Sequence, residues 1–330
     1  MKKFALLLLV LITGITLMSC QNDDEQPDIV TTMFTHYDLA KHIAGNKMTV
    51  EMLIPLGADI HSFEASSKDM VDIENAKLFL FTSLDIDTWI KDPTAIGGKE
   101  TIVLDMSKSY TPEEDEHDNV NYISKLSSTL LEDEHDDEHD DENELHYWVD
   151  PTNVLQMIDY IYEHMIEIDP ENEAYYLSNA NQYKSEIERV HHEIDELLGH
   201  EPYIDSEIYF AGHNAMGAFA ERYNMHIESL FSEFKPDDDL TSSEIISFSN
   251  LVKNSNVEYL FIEALIEPRA ANAIKENLMI NDNYELTLLE LHTYHNVNQE
   301  DWEAEVTYKD LLIRNFENIK MALGVTETND

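Results

Sequence analysis

Between Pro170 and Gly199 the sequence runs without an internal proline or glycine. Its apolar residues Tyr175, Tyr176, Ala180, Tyr183, Ile187, Val190, Ile194 and Leu197 recur there at spacings of three and four, with one adjacent pair. That period is the one-sided stripe of an α-helix. Pro170 suits a first helical turn and Gly199 a C-terminal stop. At 1.5 Å per residue, a helix over 169–200 would be roughly 45 Å long, about the span of two small lobes. A chain organised about such a rod must bury its remaining apolar segments on either side of it.

The same alternation appears on both sides. Short β-branched or apolar runs at 29–34, 49–54, 78–81 and 101–104 read as strands, with helical stretches at 36–44 and 66–76. Beyond the rod, strands at 207–211, 226–230, 259–264 and 285–291 alternate with helices at 214–223, 242–254, 269–277 and 308–323. Strand–helix alternation builds parallel sheets covered by helices. The expected fold is α/β: two lobes, each with a mainly parallel sheet flanked by helices, joined by one long rigid helix. The N-terminal lobe is expected over 28–168, the linking helix over 169–200 and the C-terminal lobe over 201–330.

The start of the chain reads as an address. Lys2 and Lys3 precede an apolar run at 4–17, too short to span a bilayer comfortably. It closes on Leu17-Met18-Ser19-Cys20, which resembles a bacterial lipobox, and Cys20 is the only cysteine of the chain. Residues 1–19 are therefore expected to be a lipoprotein signal peptide and 20–27 a lipidated tether. The mature protein would lie outside the cytoplasm, anchored to the cell membrane by lipid on Cys20.

Charge narrows the partners. The chain carries 68 Asp and Glu against 20 Lys and Arg, formally −48. Such a surface repels phosphate backbones and attracts cations, so no nucleic-acid partner is expected. A single cysteine excludes a disulfide framework and a Cys-based zinc knuckle. A transition metal would have to be held by carboxylate and by the 15 histidines. Acid is densest at 113–144, with fifteen Asp and Glu and one Lys around His117, His135 and His139. With little to bury, 113–145 is expected to be a mobile acidic, His-rich loop, either a weak auxiliary collector of divalent cations or a solvated insertion.

Four other histidines share a placement. His61 follows strand 49–54, His146 ends the acidic loop, His213 follows strand 207–211 and His295 follows strand 285–291. Ligands of open α/β sheets collect beyond the carboxyl ends of the strands. Taken singly, each could be a loop residue or a neighbour of a helix cap. Taken together, two from each lobe outline a metal site in the cleft between lobes.

The residues around them carry a resemblance. Pro55-Leu56-Gly57-Ala58-Asp59-Ile60-His61-Ser62-Phe63-Glu64, His146-Tyr147-Trp148-Val149-Asp150-Pro151 and Gly212-His213-Asn214-Ala215-Met216-Gly217-Ala218-Phe219-Ala220 resemble three metal-ligand motifs of one family. Glu263 within Phe261-Ile262-Glu263-Ala264 and Thr307-Tyr308-Lys309-Asp310 with Asn315 extend the match. The family is the cluster A-I solute-binding lipoproteins, the metal receptors of bacterial zinc and manganese ABC importers. The acidic loop ahead of the second motif resembles that of the zinc-type members.

The resemblance implies a monomeric receptor that captures Zn²⁺ between its lobes and delivers it to an ABC permease, with only a small rocking of the lobes about the helix. His61, His146 and His213 would be ligands and His295 the fourth, with Glu290, His292 or a water as competitors. Glu263 and Asp150 would orient the rings from behind. A nitrogen-rich tetrahedral set suits zinc, whereas manganese prefers more oxygen. The alternatives are a manganese or iron receptor of the same fold and a surface adhesin that carries metal. A secreted metallohydrolase finds no His-Glu-x-x-His motif in the sequence.

Overall fold

The computed structural model describes residues 26–110, 145–231 and 241–325. Cys20, His117, His135 and His139 lie outside the described residues.

The first sheet is built from β1 (Ile29–Thr31), β2 (Val50–Met52), β3 (Leu78–Phe81) and β4 (Ile102–Asp105), interleaved with α1 (Phe34–Ala44) and α2 (Ser67–Asn75). Its order is β2-β1-β3-β4 and every pairing is parallel. Side chains alternate across the sheet with period two. Leu78 and Leu80 enter the central core, while Phe79 and Phe81 join Val30 and Ile73 in a second cluster on the other face. Both faces are covered, which is why these strands read as continuous apolar runs.

Next come α3 (Pro151–Ile168) and α4 (Glu173–Leu198). The second sheet comprises β5 (Glu207–His213), β6 (His226–Phe231), β7 (Tyr259–Glu263) and β8 (Thr287–Leu291). It is interleaved with α5 (Gly217–Arg222), α6 (Ser242–Asn254) and α7 (Arg269–Asp282), and followed by α8 (Gln299–Glu303) and α9 (Tyr308–Ala322). Its order, β6-β5-β7-β8, repeats that of the first sheet, again all parallel. The two-sheet α/β architecture expected from the sequence is the one observed.

Boundaries differ in instructive ways. The first strand ends at Thr31, and Phe34 already opens α1, because the amide of Phe34 donates to the carbonyl of His295 and not to a strand. The long helix opens with a 3₁₀ turn at Pro170–Asn172, so its α-helical part is Glu173–Leu198. Its buried stripe is Tyr176, Ala180, Tyr183, Ile187, Val190, Ile194 and Leu198. The sequence placed Tyr175 and Leu197 in that stripe. Tyr175 is exposed and Leu197 only half-buried, since four residues on from Ile194 the helix turns Leu198 inward. Strand β5 runs two residues past its expected end, so His213 is its last residue. α8 has no counterpart in the expected elements.

α4 packs against α1, α3 and α9. One continuous core joins them, from Ile29 and Leu80 of the first sheet through Ile187 and Val190 to Phe210, Phe261 and Leu291 of the second. Burying each such side chain stabilises the fold by about 1.5–3 kcal/mol. Asp38 of α1 ties three helices at one point. Its carboxylate accepts from the Tyr183 hydroxyl of α4 and, at 3.0 Å, from the Tyr308 amide at the start of α9. That amide belongs to the first turn of α9, where no intrahelical acceptor exists and negative charge is favoured.

In each sheet the order of connection reverses between two central strands, which opens a crevice at their carboxyl ends. In the first sheet that crevice lies between β1 and β3 and is closed. Thr32 and Thr82 meet there at 3.3 Å, and the buried Asp87 accepts from the Thr82 amide at 2.6 Å and from the Thr32 hydroxyl. In the second sheet it lies between β5 and β7.

Candidate metal centre

The crevice of the second sheet is open. It forms part of a cavity of about 420 Å³ lined by His61, Gly212, His213, Glu263 and His295. Four separate segments bring these residues together.

His61 sits in a 3₁₀ turn, Ile60–Ser62, capped by Asp59, whose carboxylate accepts from the His61 amide at 2.8 Å. The preceding loop turns at Gly57, φ 73°, a conformation that suits glycine. Asn296 holds this loop from the far side: its amide donates to the carbonyls of Pro55 and Ala58 at 2.8 and 2.7 Å. The loops after β2 and after β8 are thereby one unit. His146 precedes a 3₁₀ turn, Tyr147–Val149, fixed by its own aromatic residues. The Trp148 indole donates to the Thr293 carbonyl at 2.9 Å and the Tyr147 hydroxyl to the Thr82 carbonyl at 3.0 Å. His213 closes β5 after an irregularity in register beyond Phe210. Gly212 is required beside it, because a Cβ there would stand 2.6 Å from the Phe210 ring.

His61, His146 and His213 converge. Their ring centroids are 5.6, 5.4 and 5.2 Å apart, and one nitrogen of each lies within 4.8 Å of the others. The Nε2 atoms of His146 and His213 stand 3.4 Å apart. Two nitrogens at tetrahedral positions around zinc, each about 2.05 Å from the ion, are about 3.4 Å apart. The separation of the two rings is therefore that of neighbouring ligands. Glu263, the last residue of β7, faces the His213 Nδ1 at 3.0 Å. A carboxylate there keeps the proton on Nδ1 and leaves the Nε2 lone pair for an ion. Burial, reinforced by the nearby His213, pushes the His61 ring down to about 4, so it is neutral at pH 7.

His295 lines the same cavity but stands outside that group of three. Its Nδ1 pairs with the Thr293 hydroxyl at 2.7 Å, and burial holds the ring neutral. The competitors for this position are placed elsewhere. Glu290 is exposed on β8. His292 is buried in the loop, its Nδ1 accepting from the Tyr294 amide while Asn315 of α9 brackets its backbone. Asp150, expected to orient a ring from behind, is placed at the start of α3. One carboxylate oxygen caps α3 by accepting from the Thr152 amide at 2.8 Å and the other pairs with Arg222 at 2.9 Å, so it acts on the backbone that carries His146. The sequence offered no signal for Asn296 or Arg222, because an Asn in a loop and an Arg at a helix end carry no pattern of their own.

Two doubly wound parallel sheets around one long helix, with imidazoles gathered at the open crevice, define the class of metal-binding solute receptors. The sequence agrees: residues 29–322 match the family described as ZnuA, zinc-uptake complex component A periplasmic, and the chain belongs to that family. It is 22% identical over 312 residues to the high-affinity zinc uptake system protein ZnuA of Bacillus subtilis (strain 168), covering 93% of this chain and 91% of that protein. It is also 22% identical to the zinc-binding lipoprotein AdcA of Streptococcus pneumoniae, covering 97% of this chain and 61% of AdcA. Among solved structures, the Zn(II)-bound ZnuA-like domain of that AdcA superposes with a TM-score of 0.70 at 18% identity, over 90% of this chain and 98% of the domain. The periplasmic zinc-binding protein TroA of Treponema pallidum gives 0.70 at 17% identity, over 90% of this chain and 99% of TroA. These superpositions establish a shared fold.

Proposed function

We propose that this protein is an extracytoplasmic receptor that captures Zn²⁺ and hands it to the permease of an ABC importer. The carrying observation is the 3.4 Å separation of the His146 and His213 Nε2 atoms, with His61 closing the triangle. His61, His146 and His213 are the ligands of this reading, and His295 completes the set from across the cavity. Four imidazoles form a nitrogen-only set, which favours zinc over manganese. A set closed by four side chains leaves no position for an activated water, so the role is carriage and not catalysis. The relatives named as zinc-uptake proteins and metal-transporter lipoproteins support the same role.

The ion enters through the crevice, exchanges its water for imidazole and is held until the receptor docks on the permease. The protein works as a monomer, tethered through lipid on Cys20, with the stretch around His117, His135 and His139 as an auxiliary collector of cations. The long helix between N-terminal and C-terminal lobes restricts closure to a small rocking. The test is a zinc titration of the parent against a His61→Ala, His213→Ala double variant with unchanged circular dichroism. The expected result is loss of tight binding in the variant and failure of zinc uptake in a strain that carries it. Equal affinity in both proteins refutes the site.

A further inference from the structure

His146 precedes α3 and His213 closes a strand of the second sheet, yet their Nε2 atoms hold ligand spacing. A second contact joins the same two segments a short way along each. Asp150 follows His146 by one 3₁₀ turn and caps α3. Arg222 is the last residue of α5, the helix that follows His213. The Arg222 Nε donates to Asp150 Oδ2 at 2.9 Å, while Asp150 Oδ1 accepts from the amide and hydroxyl of Thr152 at 2.8 and 2.9 Å. The carboxylate is 5% exposed and the guanidinium 25%. α5 also packs on the Tyr147–Val149 turn. Tyr223, next in sequence, pairs through its hydroxyl with His191 Nδ1 of α4 at 2.9 Å, so the end of α5 is fixed to the long helix as well.

We propose that the Arg222–Asp150 ion pair is a strut of the metal centre: it fixes the segment carrying His213 to the segment carrying His146 and sets their separation before an ion arrives. The inference rests on the reading of those two histidines as ligands. A site held at ligand spacing in advance gives up little ordering entropy when it binds. A largely buried, directional charge pair suits that task, because removing one member leaves the other poorly solvated and without its opposite charge. Arg222 is thus a positioning residue, acting through Asp150 and the 3₁₀ turn.

Arg222→Gln, Asp150→Asn and the combined variant test this. Asn caps a helix as well as Asp does, so Asp150→Asn keeps the start of α3 and removes only the charge pair. Each single variant is expected to bind zinc about tenfold more weakly, the size of effect typical of groups behind a ligand, and the double variant no more weakly than either single. With Co²⁺ in place of Zn²⁺, the visible absorption of the single variants is expected to shift and weaken relative to the parent. Thermal unfolding of the metal-free proteins monitors the fold. If Arg222→Gln does not fold, Asp150→Asn alone decides. Affinities within twofold of the parent, or losses that multiply in the double variant, overturn the strut. A parent that binds no zinc overturns the receptor reading instead.

Discussion

His213 Nδ1 lies 3.0 Å from the carboxylate of Glu263, and the two residues are the last of β5 and β7, parallel neighbours at the mouth of the second sheet. The strand ends themselves fix which ring nitrogen carries the proton. Glu263→Gln leaves an acceptor in place but removes its charge. Zinc affinity is expected to fall about 10-fold, toward 100-fold for Glu263→Ala. Competition against a fluorescent chelator measures it, and an affinity unchanged in Glu263→Ala would show that the ring needs no partner behind it.

The fourth position is read from a graded loss. His295 lines the cavity but stands apart from the three converging rings. His295→Ala should therefore cost less zinc affinity than His213→Ala, with His292→Ala showing its effect on stability and little on affinity. Calorimetric zinc titration of the three variants gives the ranking. A larger loss for His292→Ala than for His295→Ala would move the fourth ligand to His292.

Stability should fall on mild acidification. His36 in α1 is fully buried, and neither ring nitrogen has a hydrogen-bond partner among the described residues. Burial alone pushes its ring down to about 3. Below about pH 6.5 the unfolded chain takes up a proton that the folded chain refuses, so stability declines from there toward pH 3 at about 1.4 kcal/mol per pH unit for this one group. His292, pushed down to about 3 by burial and then by the Arg314 charge, adds to the same slope. In His36→Leu the stability lost between pH 7 and pH 5 should shrink by roughly 2 kcal/mol. Urea unfolding at both pH values measures this; an unchanged difference would mean that the ring is solvated.

Asp38 offers a test far from the rings. Asp38→Ala removes the acceptor for the Tyr183 hydroxyl proton and for the Tyr308 amide in the interior. Each such orphaned donor costs about 1–3 kcal/mol, so a loss of about 2–6 kcal/mol in urea unfolding is expected. A Tyr183→Phe, Asp38→Ala double variant should recover part of it, since the hydroxyl then no longer needs a partner. A loss under 1 kcal/mol in Asp38→Ala would show that water replaces the carboxylate.

The sequence carried most of the scaffold because parallel strands covered on both faces are apolar throughout: Leu78–Phe81 was legible to the residue. The long helix was legible from its period, apart from the ends of its stripe, where Tyr175 is exposed and Leu198 rather than Leu197 turns inward. Strand ends were not. β5 reaches His213 because of a local irregularity in pairing that leaves no mark in composition. The three rings that meet were visible as a shared topological placement. The means that aim them, Asn296 reaching across to Pro55 and Ala58 and Trp148 donating to Thr293, depend on chain segments 145 to 241 residues apart. No local pattern encodes such distances.

The two sheets repeat one winding order, yet only one mouth is available. Thr32, Thr82 and Asp87 have sealed the other with their own hydrogen bonds. Among the described residues, the twin architecture thus presents its converging imidazoles at one sheet mouth. On the proposed function, this mouth would take up one cation at a time, its three rings being too close together to hold two.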